Sequence, residues 1–137
     1  MSSQQSETII LIGDPDYDIL NVLRQHYESL DYLVFTTRSM YEINQFFGHL
    51  TIDVIIIDTS LHGYEGKDDL LNLKFKSPNS EIILISDEVS TIISQEKLEI
   101  VKAIIPKPLS VDLLDKLIVE VINNQNGENM YSLPFKK

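Results

Sequence analysis

The chain has 137 residues, no cysteine, and 21 acidic against 11 basic residues, for a net charge of −10. That length fits one domain with a core large enough to stand without staples, and the composition excludes disulfides and thiolate metal sites. The negative charge argues against a phosphate-backbone partner, so direct nucleic-acid binding by this domain is not expected. The start, "MSSQQSETI", has no basic region, and no apolar run approaches the roughly 20 residues that span a bilayer. A cytoplasmic chain without a membrane partner is therefore expected.

Along the chain, "TIILI" (8–12) is the first apolar, β-branched run. Residues 16–30 then place Ile19, Leu20, Val22, Leu23, Tyr27 and Leu30 at helical spacing, which predicts an amphipathic helix. "YLVFTT" (32–37) reads as a second strand. "SMYE" has the Ser-x-x-Glu capping-box spacing, so a second helix is expected from Ser39, ending at Gly48 or Thr51. "DVIII" (53–57) is apolar at successive positions, as strands covered on both faces are. A third helix is expected after Gly66, with Leu70, Leu71 and Phe75, and Pro78 closes it. "EIILI" (81–85) and "KAII" (102–105) complete the strands, with a less regular fourth helix between Val89 and Val101. A fifth helix over 110–124 carries Leu113, Leu114, Leu117, Ile118, Val121 and Ile122. Residues 1–124 thus form the expected domain, and 125–137, "QNGENMYSLPFKK", a tail or linker.

Five strands alternating with five helices predict parallel strands joined by right-handed crossovers, a doubly wound α/β sheet. Ligands in such sheets bind at the carboxyl ends of the strands, near the topological switch point. Those ends carry chemistry here. "GDPDYD" brings Asp14, Asp16 and Asp18 after the first strand, and Asp58, Ser86 and Lys107 stand at the ends of the third, fourth and fifth. Carboxylates gathered at one pole repel one another unless a cation sits among them, and hard oxygen ligands suit Mg²⁺. A lysine there would hold a phosphoryl group. Asp16 also reads as an N-cap and Asp18 as a first-turn acid. His26, His49 and His62 lack ligand spacing and are expected on the surface, while Tyr32, Phe35, Phe46 and Phe47 read as core or its edge.

With "DVIIIDTSLHGYEG" (53–66) the chain resembles a response-regulator receiver domain of two-component signalling, over about Thr8 to Asn124. The resemblance implies the flavodoxin-like receiver fold and the following roles. Asp58 would be the phosphoacceptor, Gly63 and Gly66 the loop glycines, Ser86 the hydroxyl after strand four, and Lys107 of "PKP" the phosphate-binding lysine before a cis proline. Asp14, Asp58 and the Ser60 backbone carbonyl would ligate Mg²⁺, with Asp16 as a further candidate and no role needed for the Ser60 side chain. Phosphoryl groups would come from a histidine kinase or phosphotransfer protein. Output would pass to an effector or a second copy through helices four and five and strand five, with no enzymatic turnover. The departures are Pro15 in place of a second adjacent acid, Asp87 in place of a small residue, Ile104 at the aromatic switch position, and His62 in place of a frequent proline. Pro15, Asp87 and Ile104 support an alternative, a pseudo-receiver that binds partners without phosphorylation. A third reading takes "GDPDYD" as resembling the Asp-x-Asp motif of haloacid-dehalogenase-type phosphatases, with Asp14 as nucleophile and Asp16 as acid/base.

Overall fold

The structure, a computed structural model, describes residues 7–47, 50–88 and 98–125. Its elements in chain order are β1 (Ile9–Gly13), α1 (Tyr17–Ser29), β2 (Leu33–Thr37), α2 (Met40–Gln45), β3 (Val54–Asp58), α3 (Lys67–Lys76), β4 (Glu81–Ser86), β5 (Ala103–Pro106) and α4 (Val111–Gln125). The strands form one sheet in the order β2-β1-β3-β4-β5, and every neighbouring pair is parallel. This is the expected doubly wound, flavodoxin-like arrangement. The described residues hold four α-helices where five were expected. The fourth expected helix, between Val89 and Val101, falls mostly outside the described residues, and its last part, Leu98–Ile100, is a single 3-10 turn. The expected tail lies outside them from residue 126 onward.

The unbroken apolar runs follow from the two covered faces. Successive strand side chains point to opposite sides, so Ile10, Ile12, Ile56 and Ile83 pack with Leu23 and Tyr27 of α1 and with Leu114 and Ile118 of α4. The residues between them, Leu11, Ile55, Ile57 and Leu84, meet Ile43 of α2 and Leu70 and Leu73 of α3 on the other face. Asp53 stands just before β3 instead of within it. Its carboxylate accepts a hydrogen bond from the Ile9 amide at 2.8 Å and ties the start of β3 to β1.

Helix starts are set by side chains that satisfy free amides. Asp16 caps α1 by accepting from the Asp18 amide at 2.8 Å. Ser39 caps α2 by accepting from the Glu42 amide at 3.2 Å. The reciprocal half of the expected capping box is not made, because the Glu42 carboxylate accepts from the Thr37 hydroxyl instead. α2 also ends at Gln45, short of Gly48 or Thr51; its capping residue Phe46 keeps helical dihedrals and packs its ring 5.4 Å from that of Phe35. The loop from β3 to α3 turns at Gly63 (φ +86°) and Gly66 (φ +127°), conformations that other residues rarely adopt. Asp69 then reaches back to accept from the Glu65 amide at 2.6 Å.

Two truncations separate core from surface. Ile56→Ala, at a fully buried position of the central strand, is expected to lower unfolding stability by about 3 to 4 kcal/mol. Phe75→Ala, on an α3 residue that is 86% exposed, is expected to change it by less than about 0.5 kcal/mol. Urea denaturation of both variants checks the contrast.

Candidate functional site

The strand register assembles the candidate residues before any side chain is considered. After β1 the chain crosses to β2 on one side, while β3 lies on the other, so the carboxyl ends of β1 and β3 flank the topological switch point. Gly13 pairs with Ile57, which puts Asp14 and Asp58 side by side at the next step. Asp58 pairs with Ile85, and Ser86 with Pro106, so the hydroxyl and Lys107 follow one position further on. Packing beneath this pole is close at Gly13, where a β-carbon would lie 3.0 Å from Cδ2 of Leu61 and 3.1 Å from Cδ1 of Ile43, so those side chains would have to shift by a few tenths of an ångström.

Asp14 and Asp58 are both almost fully buried, at 3% and 2% exposed. Lys107 Nζ reaches in to 2.9 Å from Asp58 Oδ2. The other oxygen, Oδ1, accepts from the Ser60 amide at 2.8 Å and from the Ser60 hydroxyl at 2.6 Å. The Ser60 side chain thus bonds Asp58, a contact that the sequence reading did not require. The Asp-x-Ser spacing is itself the signal for such a turn, in which a carboxylate accepts from the second residue on. The same local turn recurs at two other strand ends. Asp14 Oδ1 accepts from the Asp16 amide at 2.8 Å, and Ser86 Oγ accepts from the Glu88 amide at 2.9 Å. The Lys107–Pro108 peptide is cis, as expected.

These contacts divide the two carboxylates chemically. Burial raises the pKa of Asp14, the Asp16 amide opposes it, and the charge of Asp58 together with a hydrogen bond to it raises it again, leaving it at about 6. Burial acts on Asp58 in the same sense, but the Ser60 hydroxyl and amide and the Lys107 ammonium outweigh it and hold its carboxyl below the usual range. Burial opposes the charge on Lys107, yet its hydrogen bond to Asp58 and the charges of Asp58, Asp87 and Asp14 raise its pKa. Asp58 is thus the ionised partner, and Asp14 holds the shared proton in mildly acidic solution.

Asp16 does not join the pair. Its exposed carboxylate is engaged in capping α1, and among the described residues no group of three or more His, Cys, Asp or Glu side chains could hold a metal. Asp16 thus takes the N-cap role that the sequence also offered for it. The two remaining carboxylates still fit Mg²⁺, which is commonly held by one or two carboxylates with water completing its shell, and a divalent cation would relieve the repulsion that raises the Asp14 pKa.

Pro15, where a second acid was absent, carries a contact that sequence reasoning missed. Its carbonyl accepts from Arg38 Nε at 3.0 Å, and the Arg38 guanidinium stands 4.4 Å over the Tyr17 ring. The loop after β1 is thereby fixed to the loop after β2. Ile104 is half-buried and packs on the face that carries α2 and α3. Of the histidines, His62 is exposed and uses its backbone carbonyl to accept from Met40. His26 pairs with Asp115, and His49 lies outside the described residues.

The pKa of Asp14 predicts a pH-dependent strain. A carboxyl whose pKa is raised on folding binds its proton more tightly in the folded state, so its contribution to stability is lost as pH rises from about 4 to about 6. Without divalent cations, Asp14→Asn is expected to stabilise the fold by on the order of 2 to 3 kcal/mol at pH 7.5 and by almost nothing below pH 4. Thermal unfolding of both proteins across that range measures it.

Comparison with known proteins agrees with this geometry. The family model described as the response regulator receiver domain matches residues 10–119. No curated protein matches the chain in sequence. Among solved structures, the signal receiver domain of an HD domain-containing protein from Pseudomonas fluorescens Pf-5 superposes with a TM-score of 0.79 at 20% identity, over 90% of this chain and 100% of that one. A chain named adenylate cyclase from Rhodopirellula baltica gives 0.78 at 24% identity, over 88% and 91%. A response regulator receiver domain protein from Clostridium thermocellum gives 0.74 at 25% identity, over 87% and 97%. With the family model spanning most of its length and the acid pair, hydroxyl and lysine at four successive strand ends, this chain belongs to the response regulator receiver domain family.

Proposed function

We propose that the chain is a phosphoryl-accepting switch of two-component signalling and that Asp58 is the acceptor. The observation that carries this reading is the buried Asp58 carboxylate with Lys107 Nζ at 2.9 Å and the buried Asp14 beside it at the end of the neighbouring strand. An Asp58 oxygen would form the O–P bond as the P–N bond of a phosphohistidine breaks, the imidazole leaving with that electron pair and taking up a proton. Both Asp58 oxygens are engaged in the structure, so the attacking one must first leave its partner. Oδ2 has one partner, Lys107, which can follow the charge onto the phosphoryl oxygens. Oδ1 has two from Ser60 and is the better fixed.

Mg²⁺ bound by Asp14, Asp58 and the Ser60 carbonyl would neutralise charge on the incoming phosphoryl group. Asp14 would give up its proton on binding it. Ser86 and Lys107 would contact the phosphoryl oxygens, and the movement of Ser86 would bias two packings of the segment between β4 and β5 and of the α4 face, where an effector or a second copy would dock. Ile104 is too small to reproduce an aromatic switch, so the displacement passed on at that position would be smaller. This is signalling by occupancy, without catalytic turnover. No described helix is long and apolar enough to cross a membrane. A histidine kinase or phosphotransfer protein would supply the phosphoryl group.

Pro15, Asp87 and Ile104 favour a second reading, a pseudo-receiver that docks partners with Asp58 unmodified. Intact-mass measurement after incubation with acetyl phosphate and Mg²⁺ decides between them. The switch predicts one phosphoryl adduct that disappears in Asp58→Asn, and a rate of formation lower by on the order of 10²-fold in Lys107→Ala. A folded parent that takes up no adduct would establish the second reading. An adduct that survives in Asp58→Asn and is lost in Asp14→Asn would move the acceptor to Asp14.

A further inference from the structure

Two contacts of the site meet in one peptide group. The Pro15 carbonyl accepts from Arg38 Nε at 3.0 Å. The N–H on the other side of the same peptide bond, that of Asp16, donates to Asp14 Oδ1 at 2.8 Å. The Asp14 backbone is held from the same direction, since its amide donates to the Thr37 carbonyl at 3.1 Å. Two consecutive residues at the end of β2, Thr37 and Arg38, therefore hold Asp14 twice: once by its own amide, and once by its carboxylate through the intervening peptide.

We propose that Arg38 is a positioning residue for the Asp14 carboxylate, acting through the Pro15–Asp16 peptide, and, on the reading of Asp14 as a Mg²⁺ ligand, a determinant of cation affinity. Proline fixes φ at position 15 and offers no amide of its own. The plane of the next peptide is then set by rotation about Pro15 ψ and Asp16 φ, the latter at −94°. Turning that plane over would carry the Asp16 N–H away from the Asp14 carboxylate and bring the Pro15 carbonyl oxygen toward it, exchanging attraction for repulsion. The bond from Arg38 opposes that turn. It also polarises the peptide: a carbonyl that accepts from a cation makes its N–H a stronger donor. Arg38 thus acts on a buried carboxylate without touching it, as outer partners of metal ligands commonly do.

The chemistry of arginine suits this task. Arg38 is exposed, so a flexible cation there would be free to turn into water. Its guanidinium is instead stacked 4.4 Å over the Tyr17 ring. The Nε–H lies in the guanidinium plane, so one side chain can stack by its face and donate from its edge, which a lysine ammonium cannot do. Tyr17, 63% exposed at the first residue of α1, has a place in this arrangement as the platform that holds the guanidinium on its carbonyl. The site then has two kinds of support: Asp58 is held directly by Ser60 and Lys107, and Asp14 is held at one remove by Arg38.

Arg38→Met keeps a side chain of similar reach over Tyr17 and removes the donor and the charge. The measurement is the scalar coupling across the hydrogen bond between Asp16 ¹⁵N and Asp14 ¹³Cγ in the full chain without Mg²⁺. It is expected to fall severalfold in Arg38→Met, while the coupling between Ser60 ¹⁵N and Asp58 ¹³Cγ, across the 2.8 Å bond on the other carboxylate, stays at its parent value. The thermal unfolding midpoint is expected to change little, as for other exposed positions. Titration with Mg²⁺ is expected to give a dissociation constant higher on the order of 10-fold. An Asp16–Asp14 coupling unchanged in Arg38→Met would overturn the proposal, and so would equal loss of both couplings, which would mean general loosening. A reduced coupling with unchanged Mg²⁺ affinity would overturn the role in cation binding. A parent that binds no Mg²⁺ would instead count against Asp14 as a ligand, and the coupling would still decide whether Arg38 positions it.

Discussion

Two carboxylates buried side by side at the switch point of a parallel sheet are the constraint on which the rest of the site depends. Asp14 and Asp58 end adjacent central strands, and nothing apolar around them can accommodate two negative charges. The structure answers by making them unequal. Ser60 and Lys107 stabilise the charge on Asp58 from both oxygens, and Asp14, with only the Asp16 amide, takes the proton. The pair is then one carboxylate held ionised beside another that keeps its proton up to about pH 6. Stability near neutral pH is sacrificed for that arrangement, as is common where a site must bind something charged.

The fold was legible because its signals are local and repeated. Ile10 to Ile12, Val54 to Ile57 and Ile82 to Ile85 are apolar without alternation, and only strands covered on both faces tolerate that. The order of Asp14, Asp58, Ser86 and Lys107 was legible for a related reason: each directly follows or closes an apolar run, and parallel strands collect such positions at one pole. What the sequence did not disclose depends on choices among nearby partners. Glu42 has a serine three residues before it, the capping-box spacing, yet its carboxylate goes to Thr37. Asp16 could ligate or cap, and it caps. Ser60 was assigned a backbone role only, although a hydroxyl two residues after a buried aspartate is well placed to bond it.

The departures from the family pattern take on physical content in the structure. Pro15 removes an acid from the mouth of the site, and the loop it would have anchored through a metal is held instead by Arg38 bonding its carbonyl. Asp87 adds its charge to those acting on Lys107. It strengthens the lysine's hold on its proton and makes the mouth less welcoming to an anion. Neither change touches the Asp58–Lys107 contact.

The most direct test of this account is a carbon-detected titration of the side-chain carboxyls of Asp14 and Asp58 between pH 3 and pH 8, with and without Mg²⁺. The account predicts that Asp14 titrates near pH 6 without the ion, that its midpoint falls when Mg²⁺ is added, and that Asp58 stays ionised throughout most of the range. Asp14 titrating at the ordinary aspartate value, or at a midpoint that Mg²⁺ leaves unchanged, would contradict it.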